Sequence, residues 1–171
     1  MGVGKRIVSE MEITERVAQL AEEIAGAYPN GARLVGVLKG SFLFLADLVR
    51  CLPSTFSVDF LGVRSYQGME SSGAVEITLD LGADISGKDV LIVEDIVDTG
   101  LTLDYIIRLL RSRGPTSLRV VALFFKTEAH KGQFRPEWVG FEIPSTFVVG
   151  YGMDVDERFR GLREVVEWQD E

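Results

Sequence analysis

Two acidic residues and an Asp-Thr-Gly sequence follow a short apolar run and could form a binding site. The run is Val-Leu-Ile-Val at residues 90–93, Glu94 and Asp95 come next, and residues 98–100 read Asp-Thr-Gly. Carboxylates accept hydrogen bonds from paired hydroxyls, such as those of a sugar, and they bind hard cations. An amphipathic pattern begins directly after Gly100, so the unpaired N–H groups of a helix start are expected here, and such groups bind phosphate.

The side chains around this predicted helix start suit an anion. Gly100 has no Cβ to block the approach of a phosphate, and Thr99 and Thr102 carry hydroxyl donors. Two carboxylates beside a phosphate repel it, by about 1 kcal/mol per charge pair in water and by more in a sheltered cleft. Ribose hydroxyls and a Mg²⁺ ion would both offset this repulsion. The pattern therefore predicts a site for a sugar phosphate with a bound divalent cation.

Asp98 and Thr99 have an alternative interpretation as helix caps, because both residue types are common in front of a helix. An acidic strand end is also often solvated surface. The full run, from the apolar strand through the two acids and Asp-Thr-Gly to the amphipathic helix, favours a site. Capping and binding can coexist in one residue.

Apolar runs alternate with amphipathic stretches along the chain, which favours an α/β fold with a mainly parallel sheet covered on both faces by helices. Predicted strands cover residues 34–38, 56–60, 75–79, 90–93, 118–125, 139–141 and 147–149. Predicted helices cover residues 14–27, with Thr14 as the cap, 42–49 and 103–110. Ligands of such sheets collect outside the carboxyl ends of the strands, where Glu94 and Asp95 stand. The Gly- and Ser-rich segment 65–73 predicts a mobile flap.

The composition excludes several kinds of site. A formal net charge of −8 argues against an overall nucleic-acid-binding surface. One histidine and one cysteine cannot supply a zinc site, so a metal here would be a hard cation on carboxylates, with Mg²⁺ as the candidate. Cys51 cannot close a disulfide within the chain, and we expect it to be a reduced interior thiol. No apolar run approaches the roughly 20 residues of a membrane helix. We therefore expect a single cytoplasmic domain over residues 1–171 with no membrane partner.

The run from Val90 to Thr102 resembles the phosphoribosyl-pyrophosphate signature of type I phosphoribosyltransferases. The wider pattern resembles the hypoxanthine-guanine branch of that family, with matches in the family's order from residue 34 to about residue 163. The matching segments are Leu38-Lys39-Gly40 (pyrophosphate loop), Ser65-Tyr66 (flexible flap), Lys126 (purine contact), residues 141–144 and 147–151 (base pocket), and Asp154 with Phe159-Arg160 (closing segment).

This resemblance implies transfer of a phosphoribosyl group from phosphoribosyl pyrophosphate to a 6-oxopurine, with Mg²⁺, in purine salvage. Hypoxanthine is the first expectation for the base and guanine the second. The implied fold is a twisted, mainly parallel sheet flanked by helices, with a small hood from the N- and C-terminal segments and a flexible flap. Relatives also suggest a homodimer or homotetramer.

The resemblance implies a role for each matching residue. Asp98 would accept the proton from N7 of the base, and Glu94 and Asp95 would hold the ribose hydroxyls directly or through Mg²⁺. Asp98 would also take part in phosphoribosyl binding, together with a phosphate cradle of Thr99, Gly100, Leu101 and Thr102. The remaining roles would be pyrophosphate binding by Lys39, Gly40 and Arg160, purine binding by Lys126, Phe147, Val148 and Asp154, a second Mg²⁺ contact from Asp154, and closure of the cleft by Ser65 and Tyr66. Relatives can carry a cis peptide before Lys39.

Two rival interpretations belong to other classes. A regulator could keep this fold and sense a phosphoribosyl ligand while binding RNA or a protein partner, although an RNA-binding form would need a basic surface. A phosphatase of the haloacid dehalogenase type also places aspartates after an apolar strand. Its motif has one residue between the two aspartates, whereas Asp95 and Asp98 have two between them. This spacing argues against the phosphatase.

Overall fold

The computed structural model describes residues 2–65 and 75–169. These residues form three helices and nine strands. The helices are α1 (Glu10–Ala27), α2 (Phe42–Cys51) and α3 (Leu101–Arg111). The strands are β1 (Gly2–Val8), β2 (Arg33–Leu38), β3 (Ser57–Ser65), β4 (Val75–Leu79), β5 (Asp89–Val97), β6 (Ser117–Phe125), β7 (Trp138–Glu142), β8 (Val148–Val149) and β9 (Val165–Gln169).

Six strands form the main sheet in the order β4-β3-β2-β5-β6-β7. Neighbouring strands are parallel from β3 through β7, and β4 pairs antiparallel with β3 at one edge. The predicted mainly parallel sheet is therefore confirmed. Because β2, β5 and β6 run side by side in one direction, the loops that follow them meet at one edge of the sheet.

The central strand β5 is apolar on both faces, and its side chains alternate between two cores. Leu91 and Val93 pack with α1 and α2, whereas Val90 and Ile92 pack with α3 on the opposite face. Full burial of each such side chain contributes about 1.5–3 kcal/mol to folding. This two-sided burial holds β5 rigidly and fixes the position of the acidic residues near its carboxyl end.

The two ends of the chain form a second, three-stranded sheet in the order β1-β9-β8. Both pairings are antiparallel. The hood implied by the resemblance is present, and the charged C-terminal segment packs back onto the molecule through the buried Val165 and Val166. The strand β1 was not predicted, because exposed Lys5 and Arg6 interrupt its pattern.

Helix α1 begins four residues before the predicted start, so Thr14 is not its cap. Ser9 is the N-cap: its hydroxyl accepts a hydrogen bond from the Glu12 N–H, and the Glu12 carboxylate accepts one from the Ser9 N–H at 2.9 Å. This capping box satisfies helix-start donors reciprocally. Its Ser-x-x-Glu signal is visible in the sequence.

The structure also corrects the prediction for Cys51. This residue ends α2 and is exposed, so it is not an interior thiol. Among the described residues, no helix combines the length and apolarity needed to span a membrane.

Candidate active site

Three adjoining cavities lie at the carboxyl edge of the main sheet, and Asp95 lines all of them. We name each after a residue in its wall. The Thr99 cavity has a volume of about 220 Å³, the Phe147 cavity about 190 Å³ and the Arg160 cavity about 660 Å³. The predicted site residues that line at least one of them are Glu94, Asp95, Asp98, Thr99, Gly100, Thr102, Lys39, Gly40, Lys126, Phe147, Val148, Asp154 and Arg160, a set drawn from five separate segments.

The Thr99 cavity lies where β5 ends and α3 begins. Thr99, Gly100 and Thr102 line it, while Leu101, the first residue of α3, is 57% exposed and does not line the cavity. Gly100 is the N-cap, and no side chain caps the helix, so the cap alternative for Asp98 is wrong. The uncapped N–H groups at this helix start remain available to an anion.

Gly100 is required for a reason different from the one expected. Its φ is +81°, a conformation that favours glycine, and a Cβ there would collide with the ring of His130. His130 packs edge-on against Phe125, with ring centroids 5.1 Å apart. The Lys131 and Gly132 N–H groups donate to the Thr99 carbonyl at 2.8 and 2.9 Å. The loop after β6 therefore supports the Thr99 cavity from behind, a role that the sequence did not indicate.

Glu94 and Asp95 lie within β5, which continues to Val97 and does not end at Val93. Glu94 is buried, and burial, reinforced by the nearby Asp95 charge, raises its pKa well above the usual 4.5. Burial raises the pKa of Asp95 from 3.8 to about 6, although hydrogen bonds from backbone N–H groups act to lower it. Neither acid is a freely solvated surface group. Two carboxyls held in a low-dielectric site are poised to bind hydroxyls or a cation.

The Phe147 cavity contains a close ion pair. The ammonium of Lys126, a residue only 5% exposed, donates to Asp98 Oδ2 at 2.6 Å. The Phe147 ring is 54% exposed, although a Phe-Val-Val pattern by itself favours core packing. Val148 beside it is buried in β8. An exposed aromatic face next to a buried ammonium and its carboxylate partner suits a flat heterocyclic ligand.

The Arg160 cavity is lined by three cationic side chains, those of Lys39, Arg64 and Arg160. Lys39 follows β2 through a cis peptide bond from Leu38. Its ammonium contacts both carboxylate oxygens of Glu157, at 3.0 and 3.1 Å. Arg160 Nη2 contacts Asp154 Oδ1 at 2.9 Å and Glu157 Oε2 at 3.2 Å. Sequence reasoning missed Glu157, since an acidic residue in a charged segment gives no signal of its partners.

The predicted flap is the part of the site that the described residues do not cover. Tyr66 lies outside them, and Ser65 is described only as the last residue of β3. Their roles stay predictions.

The oxygen donors of the site fit Mg²⁺. Asp95 and Asp154 line both the Phe147 and the Arg160 cavity, and Glu94 lines the Thr99 cavity beside Asp95. Within residues 2–65 and 75–169, no three His, Cys, Asp or Glu side chains form a ready-made cage. Mg²⁺ sites that use one or two carboxylates plus substrate phosphates and water need no such cage.

Comparisons with known proteins agree with this geometry. The model of the Phosphoribosyl transferase domain family matches residues 4–156. The hypoxanthine-guanine phosphoribosyltransferase of Bacillus subtilis is 42% identical over 162 residues, which cover 94% of this chain and 90% of that protein. A crystal structure of a hypoxanthine-guanine phosphoribosyltransferase from Bacillus anthracis, with HEPES in its active site, has a TM-score of 0.93 at 35% identity, covering 98% of this chain and all of that one.

A Trypanosoma cruzi hypoxanthine phosphoribosyltransferase in complex with its product IMP has a TM-score of 0.91 at 41% identity. The match covers 98% of this chain and 95% of that chain. The family match, the identities and the shared fold extend over nearly the whole chain. The chain therefore belongs to the phosphoribosyl transferase domain family, in its hypoxanthine-guanine phosphoribosyltransferase branch.

Proposed function

We propose that the three cavities hold the two substrates of the family's reaction, the transfer of a phosphoribosyl group from phosphoribosyl pyrophosphate to hypoxanthine or guanine. One observation carries this assignment: Asp95 borders all three cavities. A sugar held at Asp95 has a phosphate site on one side, an aromatic base site on another and a cationic site on the third. These are the neighbours that the ribose has in the reaction.

In this arrangement the Thr99 cavity takes the 5′-phosphate of the donor. Helix-start N–H groups of residues 99–102 and the Thr99 and Thr102 hydroxyls donate to its oxygens, and Leu101 contributes only its backbone. Glu94 and Asp95 accept hydrogen bonds from the ribose hydroxyls. The partial positive end of α3 favours the phosphate, and the hydroxyls give the carboxylates donors in place of water.

The Phe147 cavity takes the purine. The exposed Phe147 ring stacks on the base, and the Val148 backbone bonds to its edge, with Asp154 at the rim. Lys126 donates to the exocyclic oxygen that distinguishes a 6-oxopurine from an aminopurine. Asp98 accepts the proton that N7 loses as the new bond to the sugar forms. Hypoxanthine is the preferred base in this proposal, with guanine second.

The Arg160 cavity takes the pyrophosphate. Lys39 and Arg160 supply positive charge, Arg160 through a planar fork that matches phosphate oxygens, and the Gly40 backbone lines the same wall. Mg²⁺ held by Asp95 and Asp154, with Glu94 behind, would supply charge neutralisation for the donor's oxygens. Breaking the bond to pyrophosphate builds positive charge on the sugar and negative charge on the leaving group. Catalysis therefore consists mainly of positioning and charge stabilisation by these residues.

A direct assay tests the proposal. The protein is incubated with Mg²⁺, phosphoribosyl pyrophosphate and either hypoxanthine, guanine or xanthine, and nucleotide formation is compared with an EDTA control. We expect base-dependent release of pyrophosphate, fastest with hypoxanthine and lost on chelation. Binding of phosphoribosyl pyrophosphate without turnover on any base would instead support the ligand-sensing regulator.

The proposal also includes assembly and location. A homodimer or homotetramer is what the family resemblance implies. A lone, unbridged Cys51 is typical of a reducing compartment such as the cytoplasm. Sedimentation at micromolar concentration measures the mass in solution. A monomer mass of 18.9 kDa would contradict the assembly.

A further inference from the structure

One carboxylate contacts two of the three cationic side chains, Lys39, Arg64 and Arg160, that line the Arg160 cavity. Glu157 places both of its oxygens within 3.1 Å of the Lys39 ammonium, and one of them lies 3.2 Å from Arg160 Nη2. Its own N–H donates to Asp154 Oδ2 at 2.9 Å, which holds the residue over the cavity. Glu157 is thus an anion bound where the proposed function requires an anion to bind.

The contacts of Glu157 resemble those that a phosphate group would make. A carboxylate and a phosphate both offer several acceptor oxygens to an ammonium and to the guanidinium fork. The Glu157 carboxylate lies against both the Lys39 ammonium and the Arg160 guanidinium, so it takes donors that a phosphate would use. A pyrophosphate on the same two cations would bring like charges together, so Glu157 has to move away before it binds.

We propose that Glu157 is an internal competitor for pyrophosphate, which occupies Lys39 and Arg160 in the empty site and weakens the binding of this group in the donor and in the released product. The inference rests on the proposed role of Lys39 and Arg160. While the internal ion pair fills the site, the protein cannot bind pyrophosphate there. The apparent affinity for pyrophosphate therefore falls in proportion to the fraction of molecules whose site is open. In an exposed setting this effect is about two- to tenfold.

A purely structural role for Glu157 predicts the opposite result. If the carboxylate only holds Lys39 and Arg160 in position, its loss would let their side chains adopt other conformations and would weaken pyrophosphate binding. If it competes, its loss releases the Lys39 ammonium and removes the Glu157 carboxylate from Arg160, which keeps its contact with Asp154, and pyrophosphate binding strengthens. The sign of the change therefore separates the two roles.

The test compares Glu157→Gln with Asp156→Asn. Both remove one negative charge from the same segment and both positions have left-handed backbone, with φ of +61° and +50°, but only Glu157 contacts the two cations. The measured quantities are KM for pyrophosphate in the reverse reaction with IMP and the inhibition constant of pyrophosphate in the forward reaction. We expect both to fall about two- to tenfold in Glu157→Gln and to stay at the wild-type value in Asp156→Asn. Melting temperatures check that the variants are folded.

Two further variants separate this inference from the function on which it rests. Lys39→Met and Arg160→Lys should each raise KM for pyrophosphate. If they do, and Glu157→Gln leaves the constant unchanged or raises it, the competitor role is wrong while the pyrophosphate site stands. If neither variant affects pyrophosphate, the assignment of the Arg160 cavity is wrong, and the competitor role is overturned with it. Equal strengthening by Asp156→Asn would also overturn it, because the effect would then be a general loss of negative charge.

Discussion

At the scale of single residues, the ion pair between Lys126 and Asp98 is consistent with the proposal that the Phe147 cavity recognises a base and accepts its proton. Lys126 is buried and Asp98 is about half exposed, so the pair links the interior to the cavity. A buried ammonium without a partner would be costly, and Asp98 supplies that partner at 2.6 Å. The ammonium has three donors and can hold Asp98 while it also reaches a ligand oxygen.

Asp98→Asn tests the proposed proton acceptor. Asparagine keeps the shape and an oxygen toward Lys126 but cannot accept a proton, so we expect kcat to fall by about 10²–10⁴. Binding of phosphoribosyl pyrophosphate, followed by calorimetry, should change little, since asparagine keeps the shape of the wall that residue 98 forms in the Thr99 cavity. Near-full turnover in a folded variant would show that Asp98 is not the base.

At the scale of elements, the site depends on direct contacts between loops from different parts of the fold. Gly152 lies in the left-handed region with φ of +100°, and a Cβ there would collide with the carbonyl oxygen of Gly40. Its N–H donates to the Arg160 carbonyl at 2.9 Å, and Arg160 Nη1 donates to the Gly152 carbonyl at 2.8 Å. The segment around Gly152 and Arg160 therefore packs directly on the loop after β2, which carries Lys39.

Gly152→Ala should separate these two loops. The strained φ costs about 1–3 kcal/mol, and the displaced Gly40 carbonyl moves the pyrophosphate loop. We expect a lower melting temperature and a KM for phosphoribosyl pyrophosphate raised at least about tenfold. Gly161→Ala is the matched control, because no atom lies within 4 Å of its Cβ position. Equal effects of the two substitutions would rule out the contact with Gly40 as the cause.

At the scale of the whole molecule, the buried acids of β5 lower the stability of the fold that presents them. Their raised pKa values mean that the folded state holds protons which the unfolded chain releases. Below pH 4 the acids are protonated in both states, and the fold keeps its full stability. As the pH rises through about 6, the pKa of Asp95 in the folded state, that stability is lost. An active site that destabilises its own fold is a common trade-off.

Asp95→Asn should stabilise the metal-free protein while it abolishes useful binding of the donor. A pKa shift from 3.8 to about 6 corresponds to at most about 3 kcal/mol at pH 8. Urea unfolding in EDTA, from pH 4 to pH 8, should show the variant gaining stability over the wild type as the pH rises. The two should converge near pH 4. Parallel curves across this range would contradict the burial of an ionised Asp95.

The sequence by itself determined the chemistry of the site and the class of the fold. Burial of β5 on both faces requires a continuous apolar run, and α3 requires an amphipathic period, so both were visible in local spacing. The acids, Asp-Thr-Gly and the helix start are neighbours in the chain, and a local pattern encodes them completely. The start of α1 was also encoded, by Ser9 and Glu12, although the apolar period alone pointed to Thr14.

Only the tertiary structure decided which distant residues meet. Lys39 and Glu157 are 118 residues apart, and Lys126 and Asp98 are 28 apart. His130 behind Gly100, the exposed ring of Phe147 and the pairing of β1 with β9 likewise have no local signature. Such contacts arise from the packing of separate elements against common cores, which one-dimensional spacing does not specify. The residues able to do chemistry could thus be identified from the sequence. Their contact partners and their burial were decided by the fold.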